Sequence, residues 1–181
     1  SSSHGEPSHA VYGVTRMLRR LFEDQAPVLR AVALDPPGPS FRKEIFDEYK
    51  ANRPPSPPDL RSQIKRIEEI VEAMGIPVLK VPGFEADDVI ATAVDAANQR
   101  GWRVVVVTAD KDLLQLVQHG NIVFDTSKKK IYGPEEVQAK MGVAASQVSE
   151  YLALTGDTSD NIPGVPSVGP KTAAKLLKDY G

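Results

Sequence analysis

Eight acidic residues in four short clusters are the part of the sequence with the clearest chemical content. The clusters are Asp35; Glu85, Asp87 and Asp88; Asp110 and Asp112; and Asp157 and Asp160. Like charges that lie close together raise one another's pKa values and destabilise a fold unless a cation neutralises them. The chain has no cysteine, and its three histidines lie outside the clusters. A bound cation would therefore have oxygen ligands, which favour Mg²⁺ or Mn²⁺ over zinc.

The number of these acids predicts a site for two metal ions. One ion needs fewer carboxylates, and two ions about 3.5–4 Å apart are typical of nucleases and polymerases. The chemistry would be in-line attack of a metal-bound water on a phosphodiester. A structural alternative exists for each single cluster, because acids in the first turn of a helix complement its dipole. Glu85, Asp87 and Asp112 fit that alternative, whereas four clusters together favour the metal site.

Hydrophobic patterns predict the elements that position these acids. Strands are predicted at 28–34, 78–81, 104–107 and 122–125, and helices at 9–23, 60–74, 85–99, about 112–117, from Pro134, and about 146–154. The four valines 104–107 are typical of a parallel strand covered on both faces. Asp35 and Asp110 follow two strands at the sheet edge where ligands bind in open α/β sheets. This alternation predicts an α/β fold with a mostly parallel central sheet flanked by helices.

A proline-rich, basic segment, residues 36–58, interrupts the alternation. It contains Arg42, Lys50 and Arg53, together with Phe41, Phe46 and Tyr49. The basic side chains are candidate phosphate contacts, because arginine can bind two phosphate oxygens and lysine supplies a point charge. The aromatic rings either stack on a base or pack against the core. The prolines predict a long, semi-stiff connection without a helix.

The tail of the chain changes character. Residues 164–169 form a glycine-bounded turn, and Pro170 opens a helix that carries Lys171, Lys175 and Lys178. Adjacent backbone N–H groups at a helix start can bind a phosphate without reading sequence. The candidate DNA contacts are Gly164, Val165, Gly169, Lys171 and Thr172. The alternatives are a plain connection between helices and a solvated lysine face.

We predict a core of residues 1–150, with the segment 36–58 inside it, and a module of residues 151–181.

Composition limits the classes of function. The chain has 181 residues, 25% of them charged, and a formal net charge of −2. That balance argues against bulk electrostatic binding of nucleic acid, but it allows a basic face beside an acidic pocket. The absence of cysteine excludes disulfides, thiolate zinc sites and cysteine nucleophiles. No apolar run approaches the length of a membrane span.

Four strings, in this order, carry a family resemblance. They are FR…YKANRPP (41–55), EADD (85–88), TADKD (108–112) and TGDTSDNIPGV (155–165). They resemble the 5′-nuclease (flap endonuclease) family, and most of all the 5′→3′ exonuclease domains of bacterial DNA polymerases I. The resemblance implies a PIN-like fold with a C-terminal helix–hairpin–helix module. It also implies a structure-specific nuclease that removes 5′ flaps and RNA primers in replication and repair.

The resemblance assigns roles to residues and implies cofactors and partners. The eight acids match the family's ligands for two Mg²⁺ or Mn²⁺ ions. Arg42, Lys50 and Arg53 match catalytic residues of an arch over the 5′ strand, and Tyr49 matches a DNA contact there. The tail would grip the duplex, often with a bound K⁺. The implied partners are DNA with a 5′ flap, nicked or branched duplexes, RNA–DNA primer junctions, and a polymerase domain in the same parent chain. We expect a monomer in the bacterial cytoplasm, associated with the nucleoid.

Two departures from the family pattern leave alternatives open. The family begins with a further strand that carries another aspartate, and it continues with helices after the hairpin. We therefore expect the sequence to be a fragment that folds and cleaves poorly by itself. One alternative function is DNA binding without nuclease activity. Another is a different α/β enzyme with acid clusters, such as a PIN-like ribonuclease or a phosphatase, although the glycine turn and the basic segment disfavour a small-molecule phosphatase.

Overall fold

A computed structural model describes residues 7–181 of the chain. By its internal contacts the chain divides into two compact units. The first unit comprises Ser1–Gly38 and Pro54–Ala86, and the second comprises Pro39–Arg53 and Asp87–Gly181. The predicted division after residue 150 stays a prediction, and residue 150 lies within a helix.

The regular elements within residues 7–181 follow one another along both units. The α-helices are α1 (His9–Gln25), α2 (Arg42–Ile45), α3 (Pro58–Ala73), α4 (Ala86–Asn98), α5 (Pro134–Met141), α6 (Val148–Thr155) and α7 (Pro170–Tyr180). The strands are β1 (Val32–Ala33), β2 (Val78–Leu79), β3 (Val105–Val107), β4 (Ile122–Asp125), β5 (Lys130–Tyr132), β6 (Gly156–Asp157) and β7 (Ile162–Pro163). Short 3₁₀ helices span Asp112–Leu116 and Ala145–Gln147. None of these helices is long and apolar enough to cross a membrane.

The first unit packs α1 and α3 beside the parallel pair β1–β2. Val32 of β1 lies opposite Val78 of β2. The core contains Leu18, Val71 and Ile76, whose burial supplies the main driving force for packing these elements. The predicted strand 28–34 is too long, because only Val32–Ala33 forms a strand. The side chain of Val28 is 98% exposed, since α1 runs to Gln25 and the following residues connect it to β1.

The second unit contains the three-stranded sheet β3–β4–β5. Strand β3 pairs with β4 in parallel, and β4 pairs with β5 antiparallel. Val106 and Val123 point into a core shared with α4, α5 and α6. Val105 is 42% exposed, whereas Val106 is 5% exposed. The prediction of a strand covered on both faces is therefore wrong for β3, although the predicted strand β4 is confirmed to the residue.

Helix α2 and strand β5 are two of the elements in the second unit that were not predicted. Helix α2 forms inside the proline-rich segment, because residues 40–53 contain no proline and the prolines cluster at its two ends. Strand β5 forms because Asp125 stabilises the turn after β4. Asp125 Oδ1 accepts hydrogen bonds from the backbone N–H groups of Ser127 and Lys128, at 3.0 and 3.1 Å.

The predicted fold class is confirmed: helices alternate with strands, and two of the strand pairs in residues 7–181 are parallel. The tail differs in detail from the prediction. The antiparallel pair β6–β7 precedes the glycine-bounded turn, and α7 then begins with Pro170 in its first turn, as expected. The second unit therefore carries, in order, the loop after β3, the hairpin β6–β7 and the start of α7.

Candidate functional site

Lys111 joins two of the predicted metal ligands in the second unit. Its Nζ donates hydrogen bonds to Asp157 Oδ2 at 2.6 Å and to Asp112 Oδ1 at 3.1 Å. The loop after β3 positions Lys111, because Asp110 Oδ1 accepts the backbone N–H of Asp112, the first residue of the 3₁₀ helix, at 2.9 Å. Gly156 turns the chain from α6 into β6 and places Asp157. The acids Asp110, Asp112 and Asp157 are thus linked through one loop and one ammonium group.

The pKa values in this cluster follow from burial and from the lysine. Burial raises the pKa of Asp157, but hydrogen bonds from Lys111 and Ser159 outweigh it and lower the pKa to about 2. Burial raises the pKa of Asp112 above its usual range, and contact with Lys111 offsets only part of the rise. Burial lowers the pKa of Lys111, but contacts with Asp157 and Asp112 outweigh this effect, so the pKa lies above its usual value. Lys111 is therefore an ammonium at neutral pH.

Asp160 binds the predicted arch segment. It pairs with Arg53, its Oδ2 accepts the Tyr49 hydroxyl at 3.1 Å, and its Oδ2 lies 3.8 Å from Lys50 Nζ. Tyr49 is 4% exposed, so its ring is not available for stacking on a base in this structure. The packed alternative therefore applies to Tyr49.

Polar contacts fix the same segment along its length. The backbone N–H of Lys50 donates to Asp160 O at 2.9 Å. Asn52 Nδ2 donates to Thr158 O at 2.8 Å, and Asn161 Nδ2 donates to Glu48 O at 2.7 Å. Residues 46–53, which we call the docked segment, are thus attached to the loop between β6 and β7.

Asp88, in the first turn of α4, forms a bidentate pair with Arg42 of α2. Arg42 Nη1 donates to Asp88 Oδ2 and Nη2 donates to Asp88 Oδ1, both at 2.7 Å. This two-point geometry is also the one in which arginine binds phosphate. Asp87 lies in the same first turn, so both acids also suit the helix dipole, as the structural alternative proposed.

Asp35 and Glu85 belong to the first unit. Asp35 follows β1, and its Oδ1 accepts the backbone N–H of Ala86 at 2.7 Å. Glu85 immediately precedes α4. One oxygen of Asp35 thus satisfies a free N–H group at the start of a helix. Asp110 and Asp157 are also oriented by backbone groups, because one oxygen of each accepts the backbone N–H two residues further on.

Within residues 7–181, no three acidic or histidine side chains are arranged so that they could hold a metal ion as they stand. The chemistry of the donors fits a hard divalent cation, because every predicted ligand offers carboxylate oxygens. In this structure Arg42, Lys111 and Arg53 contact those oxygens. The predicted two-metal set therefore stays a prediction, and its acids are neutralised in part by the chain's own cations.

The glycine-bounded turn before α7 has a structural reason that the sequence did not reveal. A Cβ atom on Gly164 would lie 2.4 Å from the Thr155 carbonyl group, and one on Gly156 would lie 2.3 Å from Gly164 N. The N–H of Val165 donates to Leu154 O at 2.9 Å. The prediction that this N–H is available for a phosphate is therefore wrong in this structure. Gly169 is the N-cap of α7, and Lys171 and Thr172 are exposed in its first turn.

Sequence reasoning overlooked several polar residues at these clusters. Lys111 was part of a recognised string but was given no role, although a lysine between two aspartates signals an internal ion pair. Ser159, Asn52 and Asn161 also lacked an assignment. The contacts of Asn52 and Asn161 join positions 106 and 113 residues apart, and no local pattern indicates such pairs.

Comparisons with known proteins agree with this arrangement. Residues 1–142 match the family model of the "5′-3′ exonuclease, N-terminal resolvase-like domain", and residues 143–181 match the "5′-3′ exonuclease, C-terminal SAM fold". The chain is 43% identical over 181 residues to a 5′-3′ exonuclease of Aquifex aeolicus, covering 100% of this chain and 63% of that protein. It is 44% identical over 182 residues to DNA polymerase I of Deinococcus radiodurans, covering 100% of this chain and 19% of that protein.

Solved structures support the fold. The T5 D15 protein co-crystallised with metal ions matches with a TM-score of 0.82 at 24% identity, covering 97% of this chain and 69% of that one. The D15 flap endonuclease of bacteriophage T5 in complex with DNA and metal ions matches with a TM-score of 0.78 at 23% identity, covering 97% and 68%. With two family models that together span residues 1–181, the chain belongs to the 5′-3′ exonuclease family.

Proposed function

We propose that this chain is the nuclease part of a protein that hydrolyses phosphodiester bonds in DNA carrying a 5′ flap, with the help of divalent metal ions. The observation that carries the proposal is the set of acids held at the loop after β3 and at the hairpin β6–β7, where Asp160 contacts Lys50 and Arg53 of the docked segment. The names of the relatives support it, since one is a 5′-3′ exonuclease and another is DNA polymerase I.

The eight acids are the proposed metal ligands. Two Mg²⁺ or Mn²⁺ ions would stabilise the negative charge that develops on the phosphate oxygens during hydrolysis. Asp35, Asp110 and Asp157 are each oriented through one oxygen by a backbone N–H. The backbone bond fixes the direction of the second oxygen, which is a form of preorganisation; in Asp157 that second oxygen accepts from Lys111. The metal ions bound by the T5 D15 protein support a metal cofactor.

Arg42, Lys50 and Arg53 are the proposed phosphate contacts, and their present partners suggest how they act. Each contacts a carboxylate of the acid set, Asp88 or Asp160. A guanidinium that binds a carboxylate at two points can bind a phosphate at two points with little rearrangement. We propose that the scissile strand competes for these cations, so that binding of the substrate releases the acids and orients the phosphate.

Tyr49 supports this arrangement from within the docked segment. Its buried ring and its hydrogen bond to Asp160 hold the neighbouring Lys50 and Arg53 in place. We therefore assign Tyr49 a positioning role in DNA binding.

The tail is the proposed duplex contact. The first N–H groups of α7 have no partner within the helix, and Gly169, Lys171 and Thr172 lie there. We propose that they bind the duplex backbone independently of sequence. We further propose that the preceding turn binds a K⁺ ion. The wider assignment is a monomeric bacterial enzyme of the cytoplasm that processes flaps, nicked or branched duplexes and RNA–DNA primer junctions. A polymerase domain in the same parent chain is supported by the DNA polymerase I relative.

The test is cleavage by the full protein that contains this chain. A labelled 5′-flap duplex, a blunt duplex and a single-stranded RNA are incubated with Mg²⁺, with Mn²⁺ and with EDTA. We expect cleavage of the flap duplex that requires millimolar metal. Binding of the flap without cleavage in any metal would instead favour the DNA-binding alternative, and preferred cleavage of single-stranded RNA would favour a PIN-like ribonuclease.

A further inference from the structure

Lys111 is bound to two acids of the site at once. Its ammonium group contacts Asp157 Oδ2 and Asp112 Oδ1, while Asp110 lies one residue before it. The side chain of Asp157 is 10% exposed and that of Asp112 is 30% exposed, so water screens this cluster only in part. A cation between two carboxylates removes the repulsion that the two charges would otherwise feel.

We propose that Lys111 is a built-in competitor of the divalent cation: its ammonium group occupies Asp112 and Asp157 in the metal-free protein and must leave before a metal ion binds both carboxylates. This inference rests on the proposed function, because it takes Asp112 and Asp157 as metal ligands. It assigns Lys111 a positioning role and requires no contact between Lys111 and DNA.

The chemistry of the side chain suits such an exchange. A lysine ammonium is a compact charge on a flexible stem, so it can leave by rotation of its side chain without any change in the backbone. A divalent ion at the same oxygens would displace it, because two positive charges repel each other at short distance. The free energy needed to displace Lys111 then weakens the binding of metal. In the metal-free protein, the same ammonium group keeps the acids from repelling each other.

Two consequences follow for a variant without the charge. Lys111→Met should bind Mn²⁺ about tenfold more tightly than the wild type, because no ammonium has to be displaced and none repels the ion. The same variant should melt at a lower temperature in EDTA, because Asp112 and Asp157 then repel each other, and it should gain more from added Mn²⁺. A contact that only stabilised the fold would lower the melting temperature and leave the Mn²⁺ affinity unchanged.

The experiment is titration calorimetry with Mn²⁺ on the full protein, paired with thermal melting in EDTA and in Mn²⁺. Lys111→Arg keeps the charge and should bind Mn²⁺ within about twofold of the wild type. Lys111→Gln keeps a hydrogen-bond donor without the charge, and it replaces Lys111→Met if that variant fails to fold. Lys65→Met removes an exposed lysine from α3 and controls for the change in net charge.

The outcomes separate this inference from the proposed function. If the wild type and all variants fail to bind Mn²⁺, the proposed function fails. If the wild type binds Mn²⁺ and the Met and Gln variants bind it no more tightly, Lys111 is not a competitor and this inference is overturned. Tighter binding by both variants, with neither Lys111→Arg nor Lys65→Met changed, supports it.

Discussion

Asp157 and Asp160 lie three residues apart on one hairpin, but their cations are held in different ways. Asp157 contacts Lys111, a flexible side chain at the loop after β3. Asp160 contacts Tyr49 and Arg53, in a segment that is also attached through backbone groups. The Lys111 contact can break by rotation of one side chain, whereas the contact of the buried Tyr49 with Asp160 can break only if the docked segment moves. We infer that the Lys111 contact is exchangeable and that the Tyr49 contact is structural, holding Lys50 and Arg53 where a phosphate can compete for them.

The largest effect is expected from removing the buried ring of Tyr49. Tyr49→Ala should lower the free energy of unfolding by about 3–5 kcal/mol, because it deletes a buried aromatic side chain and leaves a cavity. The docked segment should then be cleaved faster by a protease. Tyr12→Ala is the matched control, since Tyr12 is 65% exposed. Chemical unfolding and limited proteolysis measure the effect, and equal losses in the two variants would contradict a structural role for Tyr49.

A second prediction concerns the charge beside that ring. Arg53→Ala should reduce flap cleavage by about a hundredfold, because the proposed phosphate contact no longer orients the reacting strand. Affinity for the duplex should change little. Lys43→Ala, an exposed residue of α2, is the control in the same part of the chain. A parallel loss of affinity and cleavage in the Arg53 variant would show that Arg53 serves general binding instead.

Removing a single hydrogen bond gives a smaller effect. Tyr49→Phe should cost about 0.5–1.5 kcal/mol of stability, since the ring stays buried and the hydroxyl bond to Asp160 is lost. Thermal unfolding of Tyr49→Phe beside Tyr12→Phe measures it. No difference between the two would show that the bond to Asp160 contributes nothing to docking.

Asp125 can be compared with Asp157, because it is a carboxylate with a structural role alone. Like Asp157, it accepts hydrogen bonds from the serine two residues further on, and its bond from the Ser127 hydroxyl lowers its pKa to about 2. An unfolded aspartate has a pKa of about 3.9. The stabilisation by the ionised group is therefore fully present above about pH 4, and it is lost as the pH falls towards 2.

The corresponding prediction is a small and pH-dependent loss of stability. Asp125→Asn should melt below the wild type at pH 6, and the two melting curves should converge as the pH falls from about 4 to 2. Mn²⁺ affinity should not change, in contrast to Asp157→Asn. A difference in melting temperature that stays constant over this pH range would mean that the charge of Asp125 does not stabilise the turn.

The same contrast explains what could be predicted from the sequence. Strand β4 has a strong local pattern and was predicted to the residue, and the start of helix α5 was predicted from Pro134. The acids of the proposed site could be named from the sequence because they form local clusters in short strings. The partners of Asp160 were not found, because Tyr49 and Arg53 lie 111 and 107 residues away. Strand β5 was missed because its formation depends on the turn at Asp125 rather than on a long apolar run.

Local chemistry also misled at two points. Val165 was predicted to offer its N–H to a phosphate, but tertiary packing gives that group to Leu154. The apolar stretch from Val28 was assigned to a buried strand, but its first residues connect α1 to β1 and are exposed. In both cases a neighbouring element decides, because α6 accepts the Val165 N–H and α1 ends too soon to cover Val28, and hydrophobic patterns report neither.

The most direct test of the central claim, that the acids at the loop after β3 serve metal-dependent cleavage, uses Asp110→Ala. In the full protein with Mg²⁺, we predict that this variant cleaves a 5′-flap duplex slower by at least about a thousandfold while its affinity for the duplex stays within about threefold, since the loss falls on the transition state. Asp95→Ala, an exposed acid of α4, should behave as the wild type. Cleavage by Asp110→Ala at the wild-type rate would contradict the account.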